Sequence, residues 1–173
     1  MGDYNAGTMN RYQRIALLLA ALALPSIAGC SMDIFRKQSA RQVTGEPETL
    51  KYADELRVDL DQMTRTASGL YYLDRTIGSG PVAEAGKIVK VAYIGRLVDG
   101  FLFDRSGAGA PYEFTLAEGE VIRGWDEGIV GMKVGGQRLL VIRPVLAYGD
   151  ASPGAGIPAN ATLVFEVTLE GVE

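Results

Sequence analysis

Leu163-Val164-Phe165-Glu166-Val167-Thr168-Leu169-Glu170 is the most regular stretch of the chain. Successive side chains of a strand point to opposite faces, so Leu163, Phe165, Val167 and Leu169 share one face and Glu166, Thr168 and Glu170 the other. Such a half-buried strand needs partners with the same alternation. Val89, Val91 and Tyr93 against Lys90 and Ala92 provide one, Gln137 to Arg143 another, and Ser68 to Ile77 and Tyr112 to Leu116 read as weaker ones. Between them, Trp125, Ile129 and Met132 are spaced by four and three, which predicts one face of a single short helix. Asp126 and Glu127 fall in its first turn, where carboxylates complement the helix dipole. Gly135 and Gly136 offer the positive φ that would end it. No helical pattern long enough for crossovers between parallel strands is present. The expected fold is α+β, an antiparallel sheet with one short α-helix on its apolar face.

The residue types that are missing narrow the chemistry. Among 173 residues there is no histidine and one cysteine, Cys30. His-based triads, His/Cys metal sites and disulfides within one chain are thereby excluded, and neither a metal nor a cofactor is expected. A net charge of -4 without any basic stripe argues against nucleic acid as a partner.

The N-terminal part reads as an address. Met9-Asn10-Arg11-Tyr12-Gln13-Arg14 is short and basic, and Ile15 to Leu24 is an uninterrupted apolar run ending at Pro25. That is a signal-peptide pattern, too short for the roughly 20 residues of a membrane-spanning helix. Ser26-Ile27-Ala28-Gly29-Cys30 resembles a bacterial lipobox, which implies cleavage after Gly29 and lipidation of Cys30. Acyl chains there would hold the protein to a membrane of the cell envelope, each buried methylene contributing about 0.8 kcal/mol. Ser31 in place of the aspartate that retains many Gram-negative lipoproteins at the inner membrane favours the outer membrane, facing the periplasm. The expected organisation is a signal peptide at 1–29, a lipidated cysteine and tether at 30–67, and a folded domain at 68–173. Leu50, Leu56, Leu60 and Met63 leave open a weak helical stripe or an extended path along the domain.

Four blocks carry a more specific resemblance. The first is Val91-Ala92-Tyr93-Ile94-Gly95-Arg96-Leu97 with Asp99-Gly100 and Phe103-Asp104-Arg105-Ser106. The second is Glu120-Val121-Ile122-Arg123-Gly124-Trp125-Asp126-Glu127-Gly128 with Gly131-Met132 and Val134-Gly135. Ala147-Tyr148-Gly149 and then Ile157-Pro158 with Asn160-Ala161-Thr162-Leu163-Val164-Phe165 complete them. In order and near-spacing, from about Leu70 onward, they resemble the FKBP-type peptidylprolyl cis-trans isomerases, the macrolide-binding immunophilins. The resemblance implies a twisted antiparallel sheet wrapped around the helix, proline-containing polypeptides as partners, and macrolides as inhibitors. It implies Trp125 as the floor of a proline pocket and Tyr93, Phe103, Val121, Ile122 and Phe165 as its walls, with Tyr112 and Phe114 at its side. Tyr148 and the Ile122 N–H would meet ligand carbonyls, Asp104 would bond near the carbonyl end of the X-Pro unit, and Ile157 would sit on the loop above.

Read without the resemblance, Phe114, Val121 and Phe165 are as readily core residues, and Asp104 a surface carboxylate paired with Arg105. Several positions depart from the family pattern: Ala92 where many members carry histidine, Tyr112 for phenylalanine, a shorter loop from Asp104 to Pro111, and Pro153 and Gly156 for bulkier residues.

The expected activity, prolyl isomerisation of exported or envelope proteins, needs no proton transfer. Rotation about X-Pro is opposed by amide resonance with a barrier of about 18–20 kcal/mol. The planar amide is more dipolar than the twisted one, so an apolar pocket favours the twisted state selectively. The alternative activity is a low-turnover module, or envelope chaperone, that holds proline-containing segments.

Overall fold

The computed structural model describes residues 42–173. The expected signal peptide, Cys30 and the first part of the expected tether lie outside the described residues. Among these, seven strands and one α-helix follow in the order β1 (Thr64–Arg65), β2 (Tyr71–Thr76), β3 (Ile88–Leu97), β4 (Leu102–Arg105), β5 (Tyr112–Thr115), α1 (Arg123–Ile129), β6 (Gln137–Ile142) and β7 (Leu163–Val172). The sheet is ordered β1-β2-β6-β7-β3-β4, with β5 also paired to β3, and every pairing is antiparallel. The α+β expectation holds. The alternation of β7 is realised as read: Leu163, Phe165, Val167 and Leu169 join the core beneath α1, whereas Val164 faces away. β4 was not legible as a strand.

The helix lies against β6 through two glycines one turn apart. A Cβ on Gly124 would come within 2.5 Å of Ile142 Cγ2, and one on Gly128 within 2.8 Å of Leu140 Cδ2. Bare backbone there lets α1 approach the sheet closely enough to seat Trp125 and Ile129 in the core. The helix ends earlier than the spacing suggested. It stops at Ile129, Gly131 takes the positive φ of 81°, and Met132 lies beyond the helix although still buried. Two polar contacts draw the chain out of helical geometry. The Gly131 N–H donates to Ala83 O (2.9 Å), and Arg138 Nη1 donates to Gly128 O (2.8 Å).

The expected tether differs more. Over its described part, 42–67, the chain packs along the outer face of the sheet in three 3-10 turns, Pro47–Thr49, Asp54–Leu56 and Leu60–Gln62. Leu50, Ala53, Leu56 and Met63 form a second core with Tyr71, Val98, Leu139, Val141 and Val164. The reason is in β6, where Leu139-Leu140-Val141-Ile142 is apolar on both faces. An antiparallel sheet with water on one side shows alternation, whereas an unbroken apolar run demands cover on both. Residues 42–67 provide that cover, taking the extended path rather than the helical one.

Candidate functional site

α1, β3, β4, β5, β7 and the loop after β6 surround a cavity of about 250 Å³. Tyr93, Phe103, Asp104, Tyr112, Val121, Ile122, Trp125, Tyr148, Pro153, Gly154, Ala155, Ile157 and Phe165 line it. Ten of the eleven expected pocket residues are therefore brought together. The exception is Phe114. Its ring stands 5.8 Å from that of Trp125, it is 3 % exposed, and it supports the indole from the core side without lining the cavity. Tyr112 and Phe114 share the inward face of β5, but Phe114 lies further along the strand, opposite the fully buried Val89, where the core closes over it.

Trp125 is fixed by rings around it. Tyr93 meets it edge-on at 4.9 Å and 78°, Phe165 at 5.2 Å and 82°, and Tyr112 at 6.4 Å and 74°. Edge-to-face pairs of this kind add about 0.5–1.5 kcal/mol each beyond area burial and hold the indole in one orientation. Phe103 and Phe165 meet at 5.5 Å and 84°. Gly95 makes that pair possible, since a Cβ there would lie 2.7 Å from both rings.

Tyr93, Asp104, Tyr112 and Tyr148 bring polar groups to the lining. The Tyr93 hydroxyl donates to Asp104 Oδ2 at 2.8 Å, and Asp104 Oδ1 accepts the Arg105 backbone N–H at 2.8 Å. Asp104 is thus tied to the aromatic box rather than to the Arg105 guanidinium. Burial, then the hydrogen bond to Asp104 and its charge, push the Tyr93 phenol far above its usual range. Burial, then the Asp104 charge, also raises Tyr148. Both hydroxyls therefore remain protonated donors through the physiological range. Ile122 caps α1 in an extended conformation, its carbonyl accepting from the Trp125 and Asp126 N–H groups at 2.8 and 3.2 Å. Asp126 turns back to accept the Ala117 and Gly119 N–H groups at 2.9 and 3.0 Å, which shapes the turn leading to Val121.

Pro153, Gly154 and Ala155 were not anticipated as lining. Gly154, Ala155 and Gly156 all have positive φ, of 93°, 51° and 79°. The Gly154 carbonyl accepts the Ile157 N–H (3.0 Å), and Ser152 Oγ donates to the Ile157 carbonyl (2.7 Å). Ile157 is thereby folded inward, 4 % exposed. The signal available in the sequence was the density of glycine and proline from Gly149 to Pro158, which marks a loop but not the direction of its side chains.

An apolar box with hydrogen-bond donors at its rim can hold a proline ring and grip the flanking carbonyls. It contains no histidine. Rate constants for a non-ionising substrate are expected to stay flat from about pH 7 to pH 9.5, because both phenols are shifted above the ordinary tyrosine value of about 10. A pH profile with a break near 7 would contradict this reading of the site.

The chain matches a family model described as FKBP-type peptidyl-prolyl cis-trans isomerase over residues 80–170. It is 49% identical over 106 residues to "FK506-binding protein 4" of Mycosarcoma maydis, a match covering 61% of this chain and 28% of that protein. It is 50% identical over 102 residues to a "Peptidyl-prolyl cis-trans isomerase" of Saccharomyces cerevisiae, covering 58% and 24%. The chain thus spans about a quarter of the length of these curated relatives. Among solved structures it is similar to AtFKBP13 (TM-score 0.59, 38% identity, 64% of this chain and 98% of that one). It is also similar to FkpA from Escherichia coli (TM-score 0.60, 40% identity, 69% and 55%).

Proposed function

This chain belongs to the FKBP-type peptidyl-prolyl cis-trans isomerase family, and from that premise we propose that its domain catalyses rotation about X-Pro bonds of exported or envelope polypeptides while held to a membrane by lipid on Cys30. The observation that carries the catalytic part is the cavity floored by Trp125 and rimmed by Tyr93, Asp104 and Tyr148. A proline ring placed on the indole leaves its amide in surroundings of low polarity. There the dipolar planar ground state loses solvation that the twisted transition state needs less, which lowers the barrier without any proton transfer. Tyr148 and the Ile122 N–H hold the flanking carbonyls while the bond turns. Asp104, kept in place by the Tyr93 hydroxyl, orients the chain on the far side. Macrolides compete for the same box.

The test is exchange NMR on an X-Pro peptide, whose uncatalysed isomerisation takes tens to hundreds of seconds. Wild-type protein should accelerate it, and Asp104→Leu should reduce the acceleration about tenfold. A folded protein that leaves the uncatalysed rate unchanged overturns the enzyme and leaves a binding module in its place. The anchor has its own test. Cys30→Ser should abolish incorporation of labelled palmitate, and incorporation that survives the change refutes lipidation at this residue.

A further inference from the structure

The loop that carries Tyr148 and Ile157 is held at its neck by residues that precede the matched domain. Within itself, 147–161 has four ties: Ala151 N–H to Tyr148 O at 3.1 Å, Ile157 N–H to Gly154 O at 3.0 Å, Ser152 Oγ to Ile157 O at 2.7 Å, and Asn160 N–H to Gly149 O at 2.6 Å, which closes the neck. Ala155 and Asn160 also hold positive φ of 51° and 56°, a conformation that non-glycine residues keep only when their surroundings impose it.

Three sets of contacts come from the segment 43–56. Before the loop, the Glu46 carboxylate pairs with Arg143 Nη2 at 2.8 Å. Arg143 starts the 3-10 turn Pro144–Leu146, whose first carbonyl accepts the N–H groups of Ala147 and Gly149, both at 2.9 Å. After the loop, Thr44 pairs with Ala161: the Gly45 N–H donates to Asn160 O (2.9 Å) and the Thr162 N–H to Val43 O (3.2 Å). The fully buried Thr162 adds a bond from Oγ1 to Gly45 O at 2.6 Å. Beside the loop, the Ala53 N–H donates to Val98 O at 2.8 Å and Glu55 lies against Gly100. The same turn places the Phe101 ring so near Gly156 that a Cβ on Gly156 would be 2.8 Å from it.

We infer that segment 43–56 is a brace for the pocket loop, with Glu46 and Thr162 as positioning residues that set Tyr148 and Ile157 over the Trp125 floor. The catalytic consequence rests on the isomerase reading; the structural one does not. Both sides of the loop neck are tied to one segment, so loosening those polar ties frees the loop while the apolar packing of β6 and β7 on α1 and on Leu50, Ala53 and Leu56 is kept.

The test uses the full chain with Thr162→Val and Glu46→Gln, singly and together. Thr162→Val keeps shape and burial and removes one hydroxyl. Hydrogen exchange of 147–161 should accelerate about tenfold in the double variant, with exchange in β6 and β7 unchanged. KM for an X-Pro peptide should rise about three- to tenfold, as loss of one hydrogen bond per site allows, with kcat altered less than about twofold. Thr162→Ser should restore wild-type values. Unchanged loop exchange and unchanged KM in the folded double variant overturn the brace. Should exchange accelerate everywhere, Phe101→Ala decides. That ring is half exposed, so the fold survives its loss, and loop exchange must still accelerate for the brace to stand. If wild-type protein proves inactive, the isomerase reading falls while loop exchange still decides the brace.

Discussion

Trp125→Ala is expected to lower kcat/KM for an X-Pro peptide about 100-fold and to destabilise the domain by about 3–5 kcal/mol, the cost of emptying a buried tryptophan site. Trp125 is 5 % exposed and stands at the centre of the ring pairs with Tyr93, Tyr112, Phe114 and Phe165. Its removal joins the core void to the cavity and admits water where the prolyl amide needs a dry surface. Two measurements separate these effects. Urea unfolding reads the stability loss, and exchange NMR under conditions where the variant stays folded reads the rate. Trp125→Phe should regain much of the stability but only part of the rate, because the smaller ring leaves the floor lower. A folded Trp125→Ala protein with wild-type kcat/KM would remove the indole from the mechanism.

Arg138→Met should cost about 3 kcal/mol without touching the cavity, the low end for breaking a buried ion pair because the Asp74 side chain stays one-third exposed. The guanidinium pairs with Asp74 through Nε to Oδ1 at 2.7 Å and Nη2 to Oδ2 at 3.0 Å, and lies 4.6 Å over the Tyr72 ring. Its remaining nitrogen donates to Gly128 O at 2.8 Å, near the end of α1. One side chain therefore joins β2 to β6 and closes the helix. Methionine fills the space but strands a carboxylate and the helix carbonyls. Adding Asp74→Leu should recover a substantial part of the loss, since removing both partners leaves no charge unpaired. Denaturation of the single and double variants checks this, and additive losses would show that the pair contributes nothing jointly.

The strands were legible because one face of β7 and its partners meets the helix, so Leu163, Phe165 and Val167 had to alternate with polar residues, whereas the aromatic site was legible only through the family resemblance of the four blocks. The end of α1 was not. Gly131, Gly135 and Gly136 all permit a stop, and the choice was made by Arg138 and Ala83, partners remote in sequence. For Leu50, Leu56, Leu60 and Met63 the sequence left a helical stripe and a path along the domain both open, since 3-10 turns carry no 3.6-residue period. The clue lay instead in Leu139 and Val141, whose outward side chains needed cover. Phe114 shares its spacing with true lining residues, and only the third dimension separates a wall from its backing. Pro153 and Ala155 reach the cavity through loop geometry that local sequence does not encode.

The strand with which the reading began holds the middle of the sheet. β7 pairs with β3 over nearly its whole length and with β6 over Leu163 to Thr168, yet among the described residues it follows every other strand. During synthesis β3 and β6 therefore exist for a time as two half-sheets with open inner edges. The aromatic floor has no Phe165 behind it until β7 has been made. Pairings so distant in sequence form slowly. The two half-sheets stay unclosed until β7 is available, and the pocket comes into being only when that strand slides between them.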